Sequence, residues 1–193
     1  MIFVTHNKNK ACEIAARLPK CITIETLSDI NFHEEIAETA DTFEGNALIK
    51  AHYLYDRFHK PCFADDSGLE VDELRGAPGV YSARYSGEKA SDMENNNKLL
   101  CAVKEIPNPH AQFRCVIAYI DKEGAEHIFE GIVRGSITHS PKGDKGFGYD
   151  PLFVPDVYPD KTFAELSLEE KNQISHRAQA VKRFVDYIKS LKA

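Results

Sequence analysis

The chain has 193 residues, 28% of them charged and 42% hydrophobic, with a formal net charge of −6. This length suits one domain with a substantial core, here taken as residues 1–193. The acidic balance argues against a nucleic-acid partner held by nonspecific phosphate contacts, and no tract of ~20 apolar residues offers a membrane span. Five cysteines (Cys12, Cys21, Cys62, Cys101 and Cys115) are widely spaced and never form Cys-x-x-Cys. They fit neither a zinc site nor a disulfide framework, and a reduced, cytoplasmic setting is the expectation.

Met1-Ile2-Phe3-Val4-Thr5 reads as a first core strand, lacking the basic start and apolar stretch of a signal peptide. A polar loop, Asn7-Lys8-Asn9-Lys10, leads into a helix carrying Ile14 and Leu18 and ending at Pro19. Ile22-Thr23-Ile24 alternates as a second strand. The acidic segment from Ser28 to Asp41 reads as an irregular loop. From Thr42 onward, Ala47, Leu48, Ala51, Leu54, Tyr55 and Phe58 follow the spacing of one buried helix face, with Asp41 or Thr42 as cap. Pro61-Cys62-Phe63-Ala64 predicts a brief buried strand, stopped by a turn at Ser67-Gly68. Gly76–Tyr85 begins as a tight turn and is expected to continue extended. Ser91-Asp92-Met93-Glu94 and Ser167-Leu168-Glu169-Glu170 are capping-box patterns. Residues 112–120 and 126–138 predict two strands of a hairpin about Asp121–Gly124. The closing helix carries Ile174, Ala178, Val181, Val185, Ile188 and Leu191 along one face. The fold class is α/β.

Six segments carry chemistry. Asp65-Asp66 places two carboxylates at the end of a core strand; they repel one another and call for a counter-charge, most simply a divalent cation. A solvated Asp-rich turn is the other reading of the same residues. Thr5-His6-Asn7-Lys8-Asn9-Lys10 lies where helix-start N–H groups and the helix dipole favour anions, although an ordinary polar βα loop has the same look. Asn46 and Lys50 are one turn apart on one helix face, with Glu34, Glu35 and Glu38 upstream. Phe147, between Gly146 and Gly148 and followed by Tyr149 and Asp150, could stack on a nucleobase or plug the end of a sheet. Lys171, Ser175, His176 and Arg177 supply donors for a planar ligand edge. Arg84 could bind phosphate or stack between tyrosines.

Taken together, the chain resembles the inosine triphosphate pyrophosphatase family. The resemblance rests on Thr5-x-Asn7-x-x-Lys10, Glu38, Thr42-Phe43-x-x-Asn46-Ala47-x-x-Lys50-Ala51, Ala64–Leu69, Gly76–Tyr85, Gly146–Pro151, Lys171 and Ser175-His176-Arg177. His6 and Lys145 stand at loop positions where smaller residues are expected. The resemblance implies an elongated mixed sheet with flanking helices and two lobes about a central nucleotide-binding cleft. It implies a homodimer that hydrolyses inosine and xanthosine triphosphates, ribo- or deoxyribo-, to monophosphate and pyrophosphate with Mg²⁺. It assigns Asp66 as general base and Glu38 and Asp66 as metal ligands, with Asp65 an alternative. Thr5, His6, Asn7, Lys8, Asn9, Lys10, Lys50 and Ser67 would hold phosphates. Phe147, Gly148, Tyr149, Asp150, Lys171, His176 and Arg177 would hold the base. A nucleotide sensor without turnover is the rival reading; water-activating carboxylates speak against it.

Overall fold

Short apolar runs separated by amphipathic helices produce a mixed sheet with helices against it. The computed structural model describes residues 1–15, 17–19 and 22–191; Cys21 lies outside them. The strands are β1 (Ile2–Phe3), β2 (Glu25–Thr26), β3 (Cys62–Val71), β4 (His110–Ile120), β5 (Glu126–Ile137) and β6 (Phe153–Pro155). The helices are α1 (Lys8–Ala15), α2 (Phe43–Phe58), α3 (Asp92–Val103), α4 (Leu168–Ile174) and α5 (His176–Ser190). The sheet order is β2-β1-β3-β4-β5-β6. β1 is parallel to β2 and β3, whereas β6 is antiparallel to β5. No described helix is long and apolar enough to cross a membrane.

The chain falls into two compact units: Met1–Asp66, Cys115–Gly131 and Arg177–Ala193 form the first, Ser67–Arg114 and Ile132–His176 the second. The first unit has two apolar layers. Phe3, Phe63, Cys115 and Ile117 pack with Ile14 of α1 and Val181, Phe184 and Ile188 of α5. Ile2, Val4, Cys62, Ala64 and Ala118 pack with Ala47, Ala51 and Leu54 of α2. The two-residue period of a strand makes this division, since successive side chains of β3 leave by opposite faces. Phe63 stacks on Phe3 with centroids 4.5 Å apart. In the second unit, Leu69, Val71, Leu99, Val103, Phe113, Phe153 and Phe163 form one core.

Local signals hold where the side chain itself does the work. Thr42 caps α2 by accepting from Gly45 N, and both capping boxes close through Ser91–Glu94 and Ser167–Glu170. The hairpin closes at Asp121, whose N–H donates to Ala125 O at 3.0 Å. Segment 27–41 carries no helix or strand.

Elsewhere tertiary pairing overrides the local reading. β3 runs straight through Ser67-Gly68; β1 pairs with it only at Cys62 and Phe63, and β4 is its long neighbour on the other side, so strand pairing takes the place of the local bonds of a turn. β2 falls at Glu25–Thr26 instead of residues 22–24; Ile22 is a core side chain, while Glu25 and Thr26 pair with Ile2 and Phe3. α1 is Lys8–Ala15, and residues 17–19 lie outside it. Gly79–Arg84 is a 3-10 turn, not an extended segment. The closing helix is two helices, broken where Ser175 takes extended backbone angles.

Gly135 of β5 pairs with Pro155 of β6, and a Cβ there would lie 2.2 Å from Val154 O and 2.8 Å from Phe153 Cζ. Gly135→Ala is therefore expected to lower the free energy of unfolding by about 1–3 kcal/mol. Thermal unfolding followed by circular dichroism checks this; an unchanged midpoint would contradict it.

Candidate active site

The site grows from the pleat of β3. Asp65 and Asp66 follow one another, so they leave the strand on opposite faces. Asp65 points with Phe63 toward α1 and α5, and Asp66 with Ala64 toward α2. Both are buried, at 1% and 6% exposure, and ionised carboxylates in that setting need partners. Asp65 Oδ2 lies 3.0 Å from Lys10 Nζ of α1 and 3.5 Å from Arg177 Nε of α5. Asp66 accepts from Asn46 Nδ2 at 3.2 Å and lies 3.7 Å from Lys50 Nζ, both on α2. The cations that answer this pair are thus side chains of the chain itself. The solvated-turn reading does not hold.

Environment separates the two acids. Burial opposes ionisation of Asp65, but Lys10, Arg177 and Lys50 together outweigh it and hold its carboxyl down at about 2. Asp66 moves the other way: burial pushes it up, Glu38 and Asp65 add to the rise, and Lys50 and Lys10 only partly offset it. A carboxylate raised in this way is a better proton acceptor than one locked in ion pairs.

Asn46 and Lys50 meet at Asp66, as their spacing on one helix face predicts. Asn46 is fully buried, and its Oδ1 accepts from Ala40 N at 2.9 Å. Lys50 Nζ also donates to Glu38 Oε1 at 2.5 Å and Asp65 O at 2.8 Å. Burial disfavours its ammonium, but Asp66, Glu38 and Asp65 more than compensate and raise its pKa.

Glu38 and Asp66 therefore converge on one positive charge. Two hard carboxylate oxygens around a single cation, with Glu38 part-exposed, form a donor set that suits Mg²⁺, which keeps waters and takes only one or two protein carboxylates. Among the described residues no group of three or more His, Cys, Asp or Glu forms a closed metal cage. Asp65 is turned to the opposite face and held by Lys10 and Arg177, so it does not join Glu38 and Asp66.

The loop before α1 departs from expectation in one respect. Its helix-start N–H groups are largely spoken for: Asn7 Oδ1 accepts from Asn9 N and Lys10 N, and Thr5 Oγ1 accepts from Asn7 N. Thr5 and Asn7 shape the loop through these bonds. His6, Lys8 and Asn9 are exposed, with His6 Nε2 3.0 Å from Glu34 O. Glu34 binds Tyr53 and Arg57, as a surface residue would. Ser67 follows Asp66 in β3, half-buried. Arg84 stacks on Tyr81 at 5.3 Å, in keeping with the structural alternative.

The second unit assembles a different cluster. Lys171 Nζ donates to Asp150 Oδ2 at 2.6 Å, both side chains buried, and lies 5.1 Å from the Phe147 ring centroid. Asp150 Oδ2 also accepts from Phe147 N at 3.0 Å. Glycine is required at 146: its φ is +78°, and a Cβ would fall 2.0 Å from Asp150 Oδ2. His176 stacks on Phe113 at 4.8 Å. Two of the expected base-site residues are engaged within the protein. Tyr149 is 4% exposed in the core and its hydroxyl donates to Ser82 O, so its side chain is not offered to a ligand. The Arg177 guanidinium is engaged by Glu13 and Asp65. Burial opposes its charge, and those two carboxylates more than restore it.

Glu13 is the residue the sequence reading missed. Its signal was present: it lies one helical turn from Lys10 on α1 and shares its face.

The pattern of the Ham1 family matches residues 1–187, and the chain belongs to that family. It is 52% identical to a dITP/XTP pyrophosphatase of Flavobacterium johnsoniae over 100% of this chain and 99% of that protein. It is 48% identical to a dITP/XTP pyrophosphatase of Flavobacterium psychrophilum over 98% of this chain and 99% of that one. The solved structure of the Staphylococcus aureus Ham1 protein superposes with a TM-score of 0.90 at 38% identity, covering 98% of this chain and 97% of that one.

The opposed environments predict opposed costs. Asp65→Asn leaves Lys10 and Arg177 without their shared anion and should destabilise the protein by about 3–5 kcal/mol. Asp66→Asn keeps an oxygen for Asn46 and removes a disfavoured charge, so it should change stability by no more than about 1 kcal/mol. Urea unfolding of the two variants side by side measures the difference; equal losses would refute the division.

Proposed function

We propose that this chain is a Mg²⁺-dependent nucleoside-triphosphate pyrophosphatase. It hydrolyses non-standard purine nucleoside triphosphates, inosine and xanthosine in ribo- or deoxyribo-form, and so clears them from the nucleotide pool. The observation that carries this reading is the division of labour on β3, where one buried carboxylate is locked by cations and its neighbour is poised to accept a proton. Membership of a family whose relatives are named dITP/XTP pyrophosphatases supports the choice of substrate.

The reaction adds water at the α-phosphorus and releases pyrophosphate from it. Asp66 takes the proton of the attacking water. Asp65 orients Lys10 and Arg177 and stays ionised. Glu38 and Asp66 would hold Mg²⁺, which when bound supplies charge neutralisation for the triphosphate and acidifies a water. Lys8 and Lys10 on the first turn of α1, with Lys50 on α2, add positive charge toward the phosphates. Thr5 and Asn7 shape that loop, His6 and Asn9 line its exposed side, and Ser67, next in β3 after Asp66, contributes a hydroxyl.

Phe147 offers a ring face to the base, with Gly148 allowing close approach and Lys171 and His176 as donors. Hypoxanthine and xanthine carry an acceptor oxygen at C6 where adenine carries an amino donor. A donor-lined pocket accepts the first and leaves groups unpaired against the second, which can discriminate by orders of magnitude. Asp150 holds Lys171 in place. The whole chain, residues 1–193, serves this one activity. A cytoplasmic homodimer completes the proposal: the described cysteines are free thiols, and exposed Tyr81 and Met93 give a second copy apolar surface to cover.

A nucleotide panel with both products identified tests the activity. Inosine or xanthosine triphosphate should yield monophosphate and pyrophosphate, with ATP far poorer, and chelation should abolish turnover until Mg²⁺ is restored. Release of orthophosphate and a nucleoside diphosphate would overturn the cleavage position. Asp66→Asn should lower kcat by about 10²–10⁴-fold in a folded protein; near-normal turnover would remove Asp66 from its role.

A further inference from the structure

Phe147 sits between two glycines that both take positive φ, +78° at Gly146 and +61° at Gly148. Such a segment has many backbone states of similar energy, so whatever fixes the ring must come from outside it. Two amides bracket the Phe147 Cα, and both are pinned. The Phe147 N–H donates to Asp150 Oδ2 at 3.0 Å. The next one, Gly148 N–H, donates to Asp92 Oδ2 at 2.7 Å. The other end of Gly148 is tied to the same helix, since its carbonyl accepts from Asn96 Nδ2 at 3.0 Å.

Asp92 and Asn96 are four residues apart on α3 and so share a face. Together they grip the N–H and C=O of one glycine. With an amide held on each side, the backbone of Phe147 has little freedom left, and its Cα–Cβ direction is set.

α3 is a firm base for this grip. Its N-terminus is closed by the Ser91–Glu94 capping box. Asn95, between the two gripping residues, ties the helix elsewhere: Oδ1 accepts from Ser86 N at 2.8 Å and Nδ2 donates to Ala83 O at 3.1 Å. Asn96 is a poor choice for stability alone, because its Oδ1 is buried without a hydrogen-bond partner among the described residues. A smaller or apolar side chain would avoid that orphan acceptor but lose the bond to Gly148.

We propose that Asp92 and Asn96 are positioning residues for base recognition: acting through both ends of the Gly148 residue, they hold the Phe147 ring in the orientation that receives the nucleobase. The proposal rests on the reading above in which Phe147 packs on the base.

The test compares Asp92→Ala, Asn96→Ala, Phe147→Ala and the double variant Asp92→Ala/Phe147→Ala. Each is assayed with inosine triphosphate and with inorganic triphosphate as a base-less competitive inhibitor. Asp92→Ala and Asn96→Ala should each raise KM for inosine triphosphate by about two- to tenfold, the worth of one hydrogen bond. Inhibition by inorganic triphosphate should not change. The double variant should match Phe147→Ala alone, since residues that act through one group are not additive. Asp92→Asn keeps an acceptor oxygen and should restore KM. Asn95→Ala, which loosens α3 without touching Gly148, serves as the control for a merely structural effect; it should lower the melting temperature and leave KM in place. A KM effect in Phe147→Ala with none in Asp92→Ala and Asn96→Ala would overturn the positioning role alone. No effect in Phe147→Ala would remove the base-packing reading, and the proposal with it. Equal weakening toward inorganic triphosphate would reduce Asp92 and Asn96 to structural supports.

Discussion

Two carboxyl groups on consecutive residues of a buried strand are the constraint around which the first unit is organised. In a turn they would crowd each other. In a strand the pleat sends them to opposite faces, and each face then has to supply its own positive charge. α1 and α5 bring Lys10 and Arg177 to Asp65, and α2 brings Lys50 to Asp66. Glu13 and Glu38 complete the network by engaging Arg177 and Lys50. Three helices distant in sequence are thus tied to one strand by charge as well as by apolar packing.

The same arrangement separates two chemically identical groups. Asp65 is surrounded by cations and stays ionised; Asp66 has fewer, and is flanked by Glu38 and Asp65, so burial dominates. Fixing one acid while leaving its neighbour able to take up a proton needs no difference in residue type, only a difference in what each face of the sheet presents. In the second unit a buried ion pair, Lys171 with Asp150, orders the loop around Phe147, and glycine at 146 is the condition for that approach.

Much of this was legible in sequence wherever the information is local. Helix caps at Thr42, Ser91 and Ser167 depend on side chains a few residues from the bonds they make. The meeting of Asn46 and Lys50 follows from helical spacing. Several of the illegible parts involve partners far along the chain. Ser67-Gly68 has turn-forming residues, yet lies within β3, a strand that neighbours β4. Ser175 breaks the closing helix into two. Arg177 follows His176 directly, but its guanidinium goes to Asp65 and Glu13, more than a hundred residues earlier.

By itself the sequence determined the candidate residues whose chemistry suits phosphate, metal and base, their order, the α/β class and the helix caps at Thr42, Ser91 and Ser167. These follow from periodicity, capping and side-chain chemistry, which act over a few residues. Only the tertiary structure decided which carboxylate is held low by cations and which is pushed up by burial, that Tyr149 is core, and that Arg177 serves Asp65. Those outcomes turn on desolvation and on charges brought within about 4 Å, where electrostatic energies become large. Such distances are set by how strands and helices pack, and the order of residues along the chain does not contain them locally.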